Sequence, residues 1–173
     1  DRDLELTLVG PASLIGGRAV AQCRHVFDRW PRLNLRFVID VNANRLGLLK
    51  RGSADLAMIF THEVTAELDS KKLKPLEYVL VAPSAWKRRS LDDILGSERL
   101  YAYHPGDTTG TDYLKSFGLG EKLQRPRLYA NENQVLQSLL CAGVGFGVLS
   151  RELAAPLVES GELCVLNQSR SFK

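Results

Sequence analysis

LELTLVGPASLIGGRAVAQCRHVFDRWPRLNLRFVID, residues 4–40, is the stretch on which the fold turns. Leu4, Leu6 and Leu8 alternate with Glu5 and Thr7, the period of two that marks a strand, and Gly10-Pro11 breaks the run. Beyond the break Leu14, Ile15, Ala19, Cys23, Val26, Phe27 and Trp30 recur at spacings of three and four, which predicts a helix with one buried face. Pro31 ends it, because proline disfavours the helical conformation of the residue before it. Residues 33–40 read as a second strand, 45–50 as a short helix closed by Gly52, and 55–60 as a third strand. Strands separated by helices of this length pair in parallel through right-handed crossovers, so the fold class is α/β.

Further along, residues 76–82 form an apolar strand that stops at Pro83, and the pattern restarts. A short helix opens at Ser90-Leu91, followed by a strand over 99–103, a helix over 108–117 and a strand over 127–130. The helix over 133–142 has Val135, Leu136, Leu139 and Leu140 on one side, and Gly143 stands where a helix needs a left-handed residue to stop. A strand over 146–149, a helix over 151–159 and a strand over 163–166 complete the chain. The expected organisation is two similar α/β lobes, 1–82 and 83–166, with 76–82 as the bridge and 167–173 as the start of a connection returning to the first lobe. Paired lobes leave a cleft, and ligands of such folds sit at the carboxyl ends of the strands.

The 173 residues are 45% apolar and 25% charged, which excludes a disordered chain. Twenty-three basic and 20 acidic residues are interspersed, for a net charge of +3. The clusters Lys71, Lys72, Lys74 and Lys87, Arg88, Arg89 lack interleaved aromatic residues and read as solvated loops, not as a nucleic-acid surface. Cys23, Cys141 and Cys164 are far apart, odd in number and set among apolar neighbours, as expected of small core residues in a reducing compartment. No run is apolar and long enough to span a bilayer and no leader-like segment opens the sequence, so the expected location is the cytoplasm.

Gly143-Val144-Gly145-Phe146-Gly147 follows a helix and precedes a strand, the reverse of a phosphate-binding loop. His25, His62 and His104 have no cysteine or carboxylate at ligand spacing, and there is no nucleophile elbow. Ser13, between strand and helix, reads as a helix cap or a ligand contact and has no base partner. No catalytic residue, metal or cofactor is expected, and the chain is not read as an enzyme.

Four segments together resemble the effector-binding domain of LysR-type transcriptional regulators over nearly the whole length. Trp30-Pro31-Arg32-Leu33-Asn34-Leu35 is similar to that family's lead into its second strand. Residues 49–58, with Gly52 and Asp55-Leu56-Ala57-Met58, resemble its Gly-x-x-Asp-Leu-Ala-Ile segment. Residues 134–150 resemble its long helix, Ala-Gly-x-Gly turn and following strand, with Ser150 where the family often has proline. Ser160-Gly161-Glu162-Leu163 is similar to its Ser-Gly-x-Leu ending.

The resemblance implies a fold like type 2 periplasmic binding proteins, with two Rossmann-like lobes joined by crossing strands and a small effector between them. It implies that ligand binding acts on a winged helix-turn-helix elsewhere in the polypeptide, DNA being contacted through that part alone, and that the family's closing strand and helix are absent here. It also implies a homodimer built from residues 15–30, 33–39 and 133–142. The loops at the strand ends hold the candidate effector contacts: Ser13, Leu14, Asn42, Asn44, Thr61, Tyr103, His104, Thr108 and Asn131. Their hydroxyl and amide groups, with the free N–H groups of helix starts, suit an anionic or strongly hydrogen-bonding metabolite. Arg18 and Arg45 would favour an anion; Asp107 and Glu132, if directed at the ligand, would oppose one. The competing reading is that the polar candidates are only caps and turns. A periplasmic-type solute-binding protein shares the architecture and is the alternative function; an enzyme of the porphobilinogen deaminase type shares it too, but no catalytic set supports one.

Overall fold

A computed structural model describes residues 4–40 and 44–173. The chain divides into two compact units, Asp1–Lys74 and Pro75–Lys173.

In the first unit β1 (Leu4–Gly10) pairs in parallel with β2 (Leu33–Ile39) and β3 (Leu56–Ala57), giving the order β2-β1-β3. The register sets Gly10 beside Ile39 and Val9 beside Ala57, so all three strands end along one edge. Asp55, just ahead of β3, fastens that strand: its Oδ2 accepts the Thr7 N–H at 2.7 Å while its own N–H donates to the Thr7 carbonyl. After β1 the chain runs as α1 (Ala12–Leu14), a π-helical turn (Ile15–Ala19) and α2 (Val20–Arg29); α3 (Arg45–Lys50) precedes β3. The π turn falls on Ile15-Gly16-Gly17 and was not expected from periodicity, which reads straight through it. A further correction concerns the face of this helix. Leu14 and Ile15 are buried, but α2 has no buried residue and exposes Val20, Phe27 and Trp30.

In the second unit the central strand β4 (Tyr78–Pro83) is antiparallel to β7 (Gly147–Ser150), to β8 (Leu163–Val165) and to β9 (Ser171–Phe172). β5 (Tyr101–Ala102) and β6 (Leu128–Tyr129) pair in parallel, and a parallel bridge from Leu100 to Phe146 joins them to the β7 segment. The helices are α4 (Leu91–Ser97), α5 (Thr109–Ser116), α6 (Asn133–Cys141) and α7 (Arg151–Glu159). The alternation of β4 builds two cores. Val79 and Val81 pack with Leu136 and Leu140 of α6 and Ala154 of α7; Leu80 and Ala82 pack with Ile94 and Leu95 of α4 and Tyr113 and Leu114 of α5.

β4 thus belongs inside the second unit, where its ladders lie, rather than at the end of the first. Residues 171–172 likewise pair with Tyr78 and Val79 there. The two glycines after α6 have separate reasons: Gly143 takes φ +76°, and a Cβ on Gly145 would lie 2.5 Å from the Arg99 carbonyl oxygen.

Candidate functional site

The carboxyl edge of the first sheet carries three of the candidate loops. Ser13 is the second residue of α1; the N-cap is Pro11, whose carbonyl accepts the N–H groups of Leu14 and Ile15. The Ser13 hydroxyl therefore does not cap the helix. Leu14 is buried, 7% exposed, and its N–H donates to the Pro11 carbonyl. Asn42 lies outside the described residues. Asn44 is exposed ahead of α3, with no side-chain capping bond, and its Oδ1 occupies the space into which a Cβ on Gly47 would collide.

Thr61 is exposed on a 3-10 turn, Thr61–Glu63. Neither cation raised by the sequence is held in reserve. Arg18 donates to the Lys74 carbonyl, and the buried Arg45 guanidinium pairs with Glu63, Nη2 lying 3.0 and 3.2 Å from the two carboxylate oxygens.

In the second unit the parallel pairing of Ala102 with Tyr129 brings the loop after β5 and the loop after β6 to one edge. The first of these loops is heavily braced. Asp107 Oδ2 accepts the Tyr103 N–H at 2.9 Å and Oδ1 accepts the Thr109 N–H at 3.0 Å. Arg127 donates to the Asp107 and Pro105 carbonyls at 2.7 and 2.8 Å and lies over the Tyr129 ring. Within the loop His104 Nδ1 accepts the Gly106 N–H at 3.2 Å. Burial pushes the Asp107 carboxyl up, but the donors from Tyr103 and Thr109 outweigh it and leave the group below the ordinary aspartate value. The Tyr103 phenol is pushed up to about 12, chiefly by burial and then by the charge of Asp107, so it keeps its proton at neutral pH.

Thr108 precedes α5 without a side-chain capping bond, since Asp107 does that work. Asn131 is exposed one residue before Glu132, and Glu132 is the cap, accepting the Val135 N–H at 2.9 Å. Asp107 and Glu132 both accept backbone N–H groups, which hold their carboxyls below the ordinary range and keep them charged. Asn133 belongs to the same loop segment but is not among the expected contacts, and its Oδ1 is buried with no hydrogen-bond partner. An amide at the first position of a helix looks ordinary in sequence, and only burial singles it out.

Among the described residues no cluster of histidine, cysteine and carboxylate groups fits a metal ion, and no helix is long and apolar enough to cross a membrane. The three cysteines are free thiols, Cys164 buried and the others half-buried.

Two α/β units with polar loops at the carboxyl edges of their parallel strands define a ligand-binding domain of the type 2 periplasmic binding protein class. Residues 3–170 match the family model of the LysR substrate binding domain, and the chain belongs to that family. The regulatory domain of CrgA, a LysR-type transcriptional regulator from Neisseria meningitidis, is similar at a TM-score of 0.77 and 21% identity over 99% of this chain and 85% of that one. A second structure of CrgA gives 0.76 at 18% identity, over 98% of this chain and 58% of that one. Full-length LysG from Corynebacterium glutamicum, solved with bound effector Arg, gives 0.70 at 19% identity, again over 98% and 58%. The chain therefore spans a little over half of the length of each of these last two. No curated protein matches the sequence. The family is a regulatory domain and not an enzyme, and membership in it decides against the periplasmic solute-binding alternative.

Proposed function

We propose that this domain senses a small polar metabolite in the cytoplasm of a bacterium and passes that signal to a DNA-binding winged helix-turn-helix carried elsewhere in the same LysR-type regulator. The contacts are Ser13, Asn44 and Thr61 in the first unit, with Asn42 beside them in sequence, and Tyr103, His104, Thr108 and Asn131 in the second. One observation carries this reading: α1 has no side-chain cap, and Asp107 and Glu132 cap the helices after their loops, so the Ser13, Thr108 and Asn131 side chains are not tied up as caps. With Arg18 and Arg45 engaged inside the chain, the recognition is by hydrogen bonds from hydroxyl, amide and phenol groups. A carboxylate on the ligand would be met by the free N–H groups of the helix starts. Thermal-shift screening of amino acids and small carboxylic acids tests this, since a ligand that binds only the folded state raises the melting temperature. A confirmed ligand should then lose about tenfold in affinity in Asn131→Ala, the scale of one lost hydrogen bond to a polar group; unchanged affinity in Asn131→Ala, Ser13→Ala and Thr61→Ala would reject the assignment.

The same reading makes the domain a homodimer. Val20, Phe27 and Trp30 leave α2 with an exposed apolar side, and Val135 is exposed on α6, the helices that the family resemblance places in the subunit contact. A twofold contact uses each patch twice, so Trp30→Glu should convert a dimer to a monomer in analytical ultracentrifugation. A wild-type domain that sediments as a monomer well above micromolar concentration would contradict it.

A further inference from the structure

Among the described residues of the first unit Arg45 is the buried charged one, 5% exposed, and its Nε has no hydrogen-bond partner. It stands at the first position of α3. Its guanidinium meets three groups of the turn after β3: both carboxylate oxygens of Glu63, and the Phe60 ring, whose centroid is 5.7 Å from Cζ. Glu63 is itself tied back, Oε2 accepting the Phe60 N–H at 2.6 Å while the Glu63 N–H donates to the Phe60 carbonyl at 2.9 Å. The His62 ring stacks parallel on Phe60, centroids 5.8 Å apart. One ion pair therefore closes the turn on itself and clamps it to α3.

Burying such a pair seldom adds net stability over an apolar packing of the same volume; its best-attested use is to fix one arrangement among several. The arrangement fixed here is that of Asn44, immediately before Arg45, and of Thr61, inside the clamped turn. We infer that Arg45 and Glu63 are a positioning pair that holds Asn44 and the turn bearing Thr61 in register with each other for the ligand. Neither residue need touch the ligand. The inference rests on the effector reading only for why the two loops matter.

The test is made on the ligand-free domain, so its failure is distinct from failure of the effector reading. Amide hydrogen exchange is followed by NMR in wild type, Glu63→Gln, Arg45→Met and Arg45→Lys. The Phe60 amide, bonded to the Glu63 carboxylate, should lose about tenfold or more of its protection in Glu63→Gln and Arg45→Met, the scale of a charge-assisted hydrogen bond. Arg45→Lys, which keeps the charge and loses the fork, should recover part of it. The Asn44 and Thr61 amide resonances should move in both disruptive variants. The Met58 amide, bonded to the Val9 carbonyl in the β3 ladder, should stay protected. Unchanged Phe60 protection in both disruptive variants overturns the inference. So does loss of Phe60 and Met58 protection together, because the pair would then support the whole unit rather than position its loops.

Discussion

The two units use the same alternation of strand and helix but finish the job differently. In the second, β4 sends Val79 and Val81 to one core and Leu80 and Ala82 to another, with α6 and α7 on one and α4 and α5 on the other. Its large side chains Phe146, Tyr113 and Leu140 are fully buried. In the first unit the buried apolar side chains among the described residues are Val9, Leu14, Ile15 and Ala54, while Leu4, Val20, Phe27, Trp30, Ile39 and Leu56 are exposed. A β-α pattern thus specifies the elements of both units; the depth of the core depends on how many faces of each sheet the same unit covers. The second unit buries large side chains within itself, and the first leaves several of its own exposed.

The largest effect that would break this contrast comes from side-chain truncation. Phe146→Ala, emptying a fully buried site, should cost about 3–5 kcal/mol in denaturant unfolding. Phe27→Ala, at a site 38% exposed, should cost under about 1 kcal/mol when measured at a concentration where the domain is monomeric. Equal losses would mean that the first unit has a core as deep as that of the second.

A smaller effect separates two serines at helix starts. Ser150 is buried and caps α7, its Oγ accepting the Leu153 N–H at 3.4 Å, so Ser150→Ala should lower stability by about 1 kcal/mol. Ser13 is past its cap, and Ser13→Ala should change stability by less than about 0.5 kcal/mol. A loss of 1 kcal/mol at Ser13, read from the urea midpoint, would restore the capping interpretation.

The smallest expected effect is one of pH. The Asp107 carboxyl titrates lower in the folded state than in the unfolded chain. Its contribution is therefore complete above the ordinary aspartate value, near 4, and disappears as pH falls through the depressed one. Asp107→Asn should flatten the drop in urea midpoint as pH falls below about 4 while lowering the midpoint modestly at pH 7. Parallel acid limbs in wild type and variant would show that the Tyr103 and Thr109 donors do not hold the charge.

Much of this was legible in the sequence because each signal was local. The alternation in residues 4–9, the stop at Pro31 and the left-handed Gly143 each act within a few residues, and the Gly-x-x-Asp-Leu-Ala segment holds the Asp55 that fastens β3 to Thr7. What periodicity cannot state is what covers a face. Cys23, Val26, Phe27 and Trp30 lie on one side of the helix as expected, yet none is buried by its own unit. The π turn escaped because Gly16 and Gly17 carry no side chain to disturb the spacing. Asp107 and Glu132 were weighed only as charges, although Asp107-x-Thr109 and Glu132-x-x-Val135 are capping spacings that the sequence displayed. Arg45 and Glu63 are 18 residues apart, and nothing in either neighbourhood marks them as partners.

The most direct test of the central claim is an amide chemical-shift map of the domain titrated with each amino acid and small carboxylic acid that raises its melting temperature. A metabolite that binds at the proposed contacts should move the amides of Ser13, Thr61, Tyr103, Thr108 and Asn131 together, with one saturation curve. A metabolite that moves only other residues, for example those of the groove beside α5 lined by Leu114, Lys115, Gly118 and Leu123, would contradict the claim.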